Sequence, residues 1–286
     1  MSDDRSPTPD QAERDAYFPS PYSLSQYTSP RTDFGGVDDH GDRGRGRRVL
    51  VIGTQQRYMP MRNGTFFSTG NHPVETLLPL HHLLAAGFEV DVATESGAPV
   101  AMEWWAYPGE DEAVQQTWDR LGDDFRSPLD LAHVVRDGLS PEHVAVFVPG
   151  GHGAMLGLPD SESVGAVLRD ALARDLTIIS LCHGPAAFLA ASIGQDASPF
   201  AGYTTCAFPD ALDFGPNLDI GYLPGPMPWA LGEALVGAGM VLANEEMTGA
   251  THHDRQLVTG DSPVAADALG RLATRVLVER LDDAGR

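Results

Sequence analysis

The stretch LTIISLCHGPAAFLAA, residues 176–191, changes character at Cys182. Leu176–Leu181 is a short apolar run of the kind that forms a buried strand. His183 and Gly184 follow the cysteine at once, and an Ala-rich run at helical spacing begins behind them. A reactive side chain at such a strand-to-helix switch sits on a sharp turn, with its sulfur beside the unpaired N–H groups of the new helix. Those groups and the helix dipole favour an anion, so Cys182 is expected to lean toward thiolate. This is the logic of a nucleophile elbow with Cys in place of Ser. The plain alternative is a small buried thiol that only packs.

Working outward, RVLVIG (48–53), FEVDVAT (88–94) and HVAVFVPG (143–150) are apolar runs of the same buried parallel-strand type. YTTCAF (203–208), MVLAN (240–244) and RQLVTG (255–260) are weaker strand candidates. Helical patterns cover Val74–Ala86, Ser163–Arg174 with a Ser cap, Gly184–Ser192, Pro228–Gly237 and Ser262–Leu281. Strands alternating with helices predict an α/β, flavodoxin-like sandwich with a mostly parallel central sheet. That domain spans residues 47–286. The segment 99–137, carrying Trp104, Trp105 and Trp118, interrupts the alternation as a small inserted cap subdomain. Residues 1–46, rich in Pro, Ser, Asp, Arg and Gly, form a partly disordered N-terminal arm. Its first dozen residues read as disordered, and YFPSPYSLSQY (17–27) reads as an extended piece packed on the body.

The chain has 286 residues, of which 42% are hydrophobic, enough for one large core or two small ones. No apolar run approaches a membrane span, and the polar, acidic N-terminal stretch lacks a signal-peptide apolar segment. Two cysteines, Cys182 and Cys206, argue against a disulfide scaffold and for a reducing cytoplasm. The formal net charge is −21 and every basic residue is Arg, with no Lys. Such a surface repels phosphate backbones and excludes stable groove binding of nucleic acid. The absence of Lys excludes Schiff-base catalysis by a side-chain amine.

In sheets of this kind, active groups gather beyond the carboxyl ends of the strands. Gly150 and Gly151 follow one strand, and their N–H groups can face a ligand closely, forming an oxyanion hole with the N–H of His183. Glu75 follows Pro73 in the first turn of a predicted helix. That is an ordinary helix start, or, if the turn faces the pocket, a carboxyl able to share a proton with Cys182 or move protons on substrate carbons. His183 is a candidate general base oriented by Asp213 or Asp210, and spacing does not decide between them. His81 or His82 with Glu89, and His252-His253-Asp254, are possible ligand clusters, but neighbouring histidines on a helix point apart. No CxxC, HExxH, P-loop or dinucleotide glycine pattern is present, and no cofactor or metal is expected.

Taken together, the segments FPSPYSLSQYTSP (18–30), FSTGNHPVETLLPL (67–80), FVPGGHGAMLGLP (147–159), SLCHGPAAFLA (180–190), CAFPDA (206–211) and LVTGDSP (257–263) resemble the family of HchA-type heat-shock chaperones, glyoxalase III enzymes and protein deglycases. That family lies within the PfpI-like, class I glutamine-amidotransferase-like superfamily. The resemblance covers Tyr17 to Leu281. It implies Cys182 as nucleophile, His183 as its partner, Asp213 as third member, Glu75 as the acid beside the thiol, and Gly151 with the His183 backbone around the oxyanion. It also implies a homodimer, and a substrate class of 2-oxoaldehydes such as methylglyoxal and glyoxal or their early adducts on protein and nucleotide. Holding of unfolded-protein clients is a second implied activity, and a cysteine peptidase or amidase is a third reading of the same Cys-His-Asp set. Founding members bind a metal through two histidines and a glutamate. Glu89 matches the glutamate, whereas Leu84 and Leu121 stand at the histidine positions.

Overall fold

A computed structural model describes residues 3–284; Met1 and Ser2, part of the stretch expected to be disordered, lie outside it. The first part of the chain runs β1 (Thr8–Pro9), β2 (Ala16–Phe18), α1 (Pro21–Tyr27), β3 (Arg48–Ile52), β4 (Tyr58–Pro60), β5 (Phe66–Ser68), α2 (Pro73–Ala85) and β6 (Glu89–Thr94). The inserted segment holds α3 (Glu112–Arg126), β7 (Leu129–Asp130) and α4 (Leu131–Asp137). Then come β8 (His143–Val148), α5 (Glu162–Ala173), β9 (Thr177–Leu181), β10 (Thr204–Thr205), α6 (Asp210–Asp213), α7 (Pro216–Asp219) and α8 (Leu231–Gly237). β11 (Val241–Leu242), β12 (Thr251–Asp254), β13 (Leu257–Gly260) and α9 (Ala266–Ala284) complete the chain order.

The main sheet has the order β12-β13-β9-β8-β3-β6-β7, parallel throughout except for the edge strand β12. Its parallel strands are apolar on both faces because both faces are covered. α2, α3 and α9 bury Leu77, Leu80, Leu121 and Leu269 against Val49, Val51 and Phe147 on one side. α5 and the 184–192 segment bury Leu168, Ala187 and Phe188 against Leu50, Val146 and Ile178 on the other. Truncating any of these large aliphatic side chains to Ala costs about 2–5 kcal/mol. From β3, the chain crosses to β6 on one side and later returns to β8 on the other. The crevice at this reversal is where ligands bind in doubly wound sheets.

Several expected elements form differently. The 17–27 stretch is not extended throughout: β2 is followed by α1, where the Ser20 side chain accepts from Ser23 N and Pro21 fits the first turn. The preceding residues also take up structure, since β1 pairs with β2, and β2 pairs with β5 in a four-stranded sheet β1-β2-β5-β4. α5 is capped by Ser161 rather than Ser163, because the Ser161 side chain reaches Val164 N. Gly184–Ser192 is a 3₁₀ helix, not an α-helix. Its narrower turn goes with a close fit: a Cβ on Gly165 would stand 2.2 Å from the Ala190 carbonyl oxygen. Two of the weaker strand candidates, β10 and β11, pair only with each other, while β13 joins the main sheet. The inserted segment lays α3 against α2 and adds β7 to the sheet edge. Only Glu103 and Trp105 of it line the cavity described next.

Candidate active site

A cavity of about 250 Å³ opens at the reversal point, lined by Cys182, His183, Glu75, Gly151, Phe208 and Tyr222 among others. Cys182 and His183 follow β9, Gly151 follows β8, Glu75 lies in the first turn of α2, Phe208 follows β10 and Tyr222 follows α7. Cys182 follows β9 with φ +56°, a left-handed conformation that a residue with a Cβ rarely adopts. Strain of this kind is held only where the surroundings fix it. Here the flanking backbone does so: Cys182 N–H donates to the Gly260 carbonyl at 3.0 Å, and Phe208 N–H donates to the Cys182 carbonyl at 2.9 Å.

Gly150 and Gly151 follow β8 and are required as glycines. A Cβ on Gly150 would stand 2.0 Å from Glu75 Oε2 and 2.8 Å from Cys182 Cβ. Gly151 has φ +96° and would meet the Gly70 carbonyl oxygen and His72 N at 2.4 Å. The absence of a side chain at both positions lets the Glu75 turn close on the sulfur.

Cys182 Sγ lies 3.2 Å from His183 Nδ1, and His183 Nε2 lies 2.8 Å from Asp213 Oδ2. The proton on Nε2 goes to Asp213, leaving Nδ1 as an acceptor toward the sulfur. The choice left open by the sequence is resolved by position. Asp210 accepts from Gly232 N and Glu233 N at 2.9 Å, capping α8, while Asp213 turns inward. Asp213 also takes His152 Nε2 at 3.1 Å and Asn217 Nδ2 at 2.8 Å, both on Oδ1. The two imidazoles are in contact, tilted by 34° with ring centroids 3.9 Å apart.

The electrostatics follow from burial. Two imidazoles hold the Asp213 carboxyl well below the usual carboxylate range, against the cost of burial. Burial pulls His183 down to about 4, helped by the charge on His152. For His152, Asp213 and Glu103 outweigh burial and raise it. The two shifts favour a proton on His152 over one on His183.

The expectation that helix-start N–H groups hold Cys182 as thiolate is corrected. Burial pushes the thiol up, and the Glu75 carboxylate pushes it further. Burial also pushes Glu75 well above the usual carboxyl range. Like charges this close do not both form, so the pair carries at most one negative charge, and the sulfur ionises only while Glu75 keeps the proton. Neither Glu75 oxygen has a well-formed hydrogen-bond partner.

Sequence reasoning missed His72, Glu103, His152, Asn217 and Tyr222. The signal for His152 was its place in the Gly150–Gly153 turn, which had been read for its glycines alone. Among the described residues, five of the eight buried side-chain N and O atoms without a partner belong to cavity-lining groups: His72 Nδ1, both Glu75 oxygens, Glu103 Oε2 and Asn217 Oδ1. Buried polar atoms are otherwise nearly always paired, so this concentration marks a place built for a polar ligand.

The metal-binding set of founding family members does not fit these residues. Leu84 and Leu121 are buried in the apolar layer, and Glu89 is engaged by Arg48. His82 bonds Asp267 at 2.9 Å and His81 bonds Thr117 at 3.1 Å, so neither histidine is directed to Glu89. At the other cluster, Asp254 accepts from Thr204 N and Arg255. His152, His183 and Asp213 bring one donor atom each within 4.8 Å of one another, but their hydrogen bonds to each other already use those atoms.

The DJ-1/PfpI family pattern matches residues 66–206, a span that includes Glu75, Gly150, Gly151, Cys182 and His183. Over 96% of its length, the chain is 53% identical to a protein/nucleic acid deglycase HchA of Pseudomonas aeruginosa, of which 96% is covered. The chain belongs to the DJ-1/PfpI family. The namesake HchA deglycase of Staphylococcus aureus is 51% identical, with 98% of this chain and 97% of that protein covered. The fold agrees with that of a Candida albicans glyoxalase III crystal structure, with a TM-score of 0.61 at 19% identity over 84% of this chain and 98% of that one.

Proposed function

We propose that this chain is a cysteine-dependent glyoxalase III and deglycase. It converts methylglyoxal, glyoxal and their early adducts on protein or nucleotide amines to 2-hydroxy acids without glutathione. Relatives above 50% identity over nearly the whole chain are named protein/nucleic acid deglycases. The observation that carries the reading is the strained Cys182 set between a proton-holding Glu75 and a neutral His183 backed by Asp213. A cavity of about 250 Å³ suits a small carbonyl fragment better than a polypeptide backbone, which weighs against the peptidase reading.

The sulfur adds to the aldehyde carbon while the proton held by Glu75 passes to the aldehyde oxygen, giving a hemithioacetal. The N–H groups of Gly151 and His183 steady that oxygen as charge develops. Glu75, now a carboxylate, takes the hydrogen from the former aldehyde carbon as a proton and returns it to the neighbouring carbon through an enediol. The product on the enzyme is a thioester. Neutral His183 then activates water, Asp213 steadies the imidazolium that forms, and hydrolysis releases the 2-hydroxy acid and the thiol. On a glycated amine, the same thiol takes over the carbonyl fragment and frees the amine.

The test is conversion of methylglyoxal to lactate by the wild type and Cys182→Ala. The expected result is turnover in the wild type and a loss of at least about a thousandfold in the variant. Lactate formation by Cys182→Ala at the wild-type rate would falsify the assignment. A homodimer in a reducing cytoplasm belongs to the same reading, and sedimentation velocity measures the oligomer. Suppression of client aggregation that survives Cys182→Ala would assign holdase activity to a separate surface.

A further inference from the structure

The reactions above leave one demand unmet. Moving a hydrogen between adjacent carbons of a 2-oxoaldehyde also requires a proton on the second carbonyl oxygen and removal of one from the first. Glu75 and His183 are occupied with the carbon-bound hydrogen and with water. A second buried carboxyl faces the same cavity. Glu103 is 1% exposed, and it comes from the inserted segment rather than from the sheet edge.

Its placement is fixed from several directions. Glu103 N–H donates to the Asn71 carbonyl at 2.9 Å, Asn71 N–H donates to the Ala101 carbonyl at 2.7 Å, and Ala106 N–H donates to the Glu103 carbonyl at 2.8 Å. The Thr69 hydroxyl donates to Glu103 Oε1 at 2.6 Å. Oε2 is buried and makes no well-formed hydrogen bond, although the main-chain N–H groups of Gly70 and His152 approach the carboxyl. A buried carboxyl on a cavity-lining residue, locked through its main chain and Oε1 but with no well-formed bond at Oε2, is placed to meet a ligand atom.

We propose that Glu103 is a second catalytic acid–base, donating a proton from Oε2 to the ketone oxygen of the Cys182-bound 2-oxoaldehyde. The inference rests on the glyoxalase and deglycase reading and names the group that completes it. As Glu75 takes the proton from the sulfur-bearing carbon, Glu103 gives its proton to the second oxygen, and the carbon–carbon double bond of the enediol forms. In a cis enediol both oxygens lie on one edge, within reach of a single carboxyl. Glu75 then returns its proton to the second carbon, and Glu103 takes the proton from the first oxygen as the thioester carbonyl forms. Both carboxyls end as they began, and no oxidant or reductant is consumed. Burial raises Glu103 to about 7, against the pull of His152 and the Thr69 hydroxyl. That value places the group where an acid–base catalyst works best at neutral pH.

The experiment compares the wild type, Glu103→Gln and Glu103→Asp. Lactate formation from methylglyoxal measures the full reaction, and native mass spectrometry of the intact protein measures the hemithioacetal on Cys182. Propanal, which lacks the second carbonyl, reports the first addition alone. Glu103→Gln is expected to trap methylglyoxal and propanal as the wild type does, yet to form lactate at least about a hundredfold more slowly. Glu103→Asp keeps the acid but sets it back by one methylene, so it is expected to fall between the two. If the Gln variant does not fold, the Asp variant carries the test, with at least about a tenfold loss expected. Lactate formation within about threefold of wild type in the folded variant overturns the proposal. So does a loss of propanal trapping equal to the loss of lactate, which would make Glu103 a support for the sulfur. A wild type that leaves methylglyoxal unconverted overturns the underlying reading as well.

Discussion

Cys206 follows β10 as a buried thiol whose N–H donates to the Thr259 hydroxyl at 2.8 Å; burial and the Asp261 carboxylate raise it to about 11. Cys182 is buried as well, and burial raises it too. The difference lies in what each sulfur meets. Cys206 is absent from the cavity wall and has no imidazole against its sulfur among the described residues, whereas Cys182 has a left-handed backbone, a ring nitrogen at 3.2 Å and a carboxyl that shares its proton. Burial alone makes a thiol inert. What turns the same burial into reactivity at Cys182 is a neighbour that can hold the proton while the sulfur attacks.

Removing that neighbour is the sharpest way to make Cys182 behave like Cys206. Glu75→Gln keeps the shape of the side chain and deletes the proton carrier. Turnover of methylglyoxal is expected to fall by about 10²–10³-fold. Stability moves the other way at neutral pH. In the fold, Glu75 is raised above its ordinary value of 4.5. Between the ordinary value and the raised one, the folded chain therefore binds more protons than the unfolded chain, and stability falls as pH rises through that window. The Tm of Glu75→Gln is expected to decline less steeply than that of the wild type from pH 5 upward. Parallel slopes in thermal melts across that range would place Glu75 in an ordinary solvated environment.

A smaller effect tests the other side of the sulfur. His152 shares Asp213 with His183 and keeps the charge that would otherwise settle on the base. In His152→Asn the carboxylate has one imidazole left, and His183, now held at about 4 by burial and by the charge on His152, is expected to rise. The acid limb of the kcat/KM profile should move up by about one pH unit, and the plateau should fall by no more than about tenfold. An unmoved acid limb would mean that His183 is tuned by burial alone.

The two cysteines also show how far the sequence could be read. The turn at Cys182 was legible because its strand, His183 and Gly184 are contiguous, whereas Gly150–Gly151 could equally be an ordinary turn and stood out only by its place after a neighbouring strand. Asp213 could not be separated from Asp210 by spacing, since the deciding facts are long-range: α8 starts against Asp210, and two rings close on Asp213. Glu103 carries no local signal, because it acquires its role from segments far away in the chain, and His152 has only its place in the Gly150–Gly153 turn, since its partner Asp213 lies far along the chain. The 3₁₀ form of Gly184–Ser192 was hidden for a related reason. Its Ala-rich sequence favours an α-helix, and the 3₁₀ form accompanies a close approach to Gly165 of α5 that no local signal in the sequence shows.

The smallest expected effect is at Cys206 itself. Its main-chain bond to Thr259 does not depend on the side chain and survives substitution. Cys206→Ala removes one buried sulfur from a site 1% exposed, so the expected cost is about 1 kcal/mol in denaturant unfolding. Turnover should stay within about twofold of wild type, since the thiol touches neither the cavity nor the proton-sharing pair. This variant can still break the comparison, because Phe208 lies two residues further on and stacks against the His183 ring at a centroid distance of 4.7 Å. A tenfold loss of turnover with unchanged unfolding free energy would show that the segment after β10 sets the orientation of the base. The contrast between an inert and a reactive thiol would then have to be drawn between chain segments rather than between the immediate neighbours of two sulfurs.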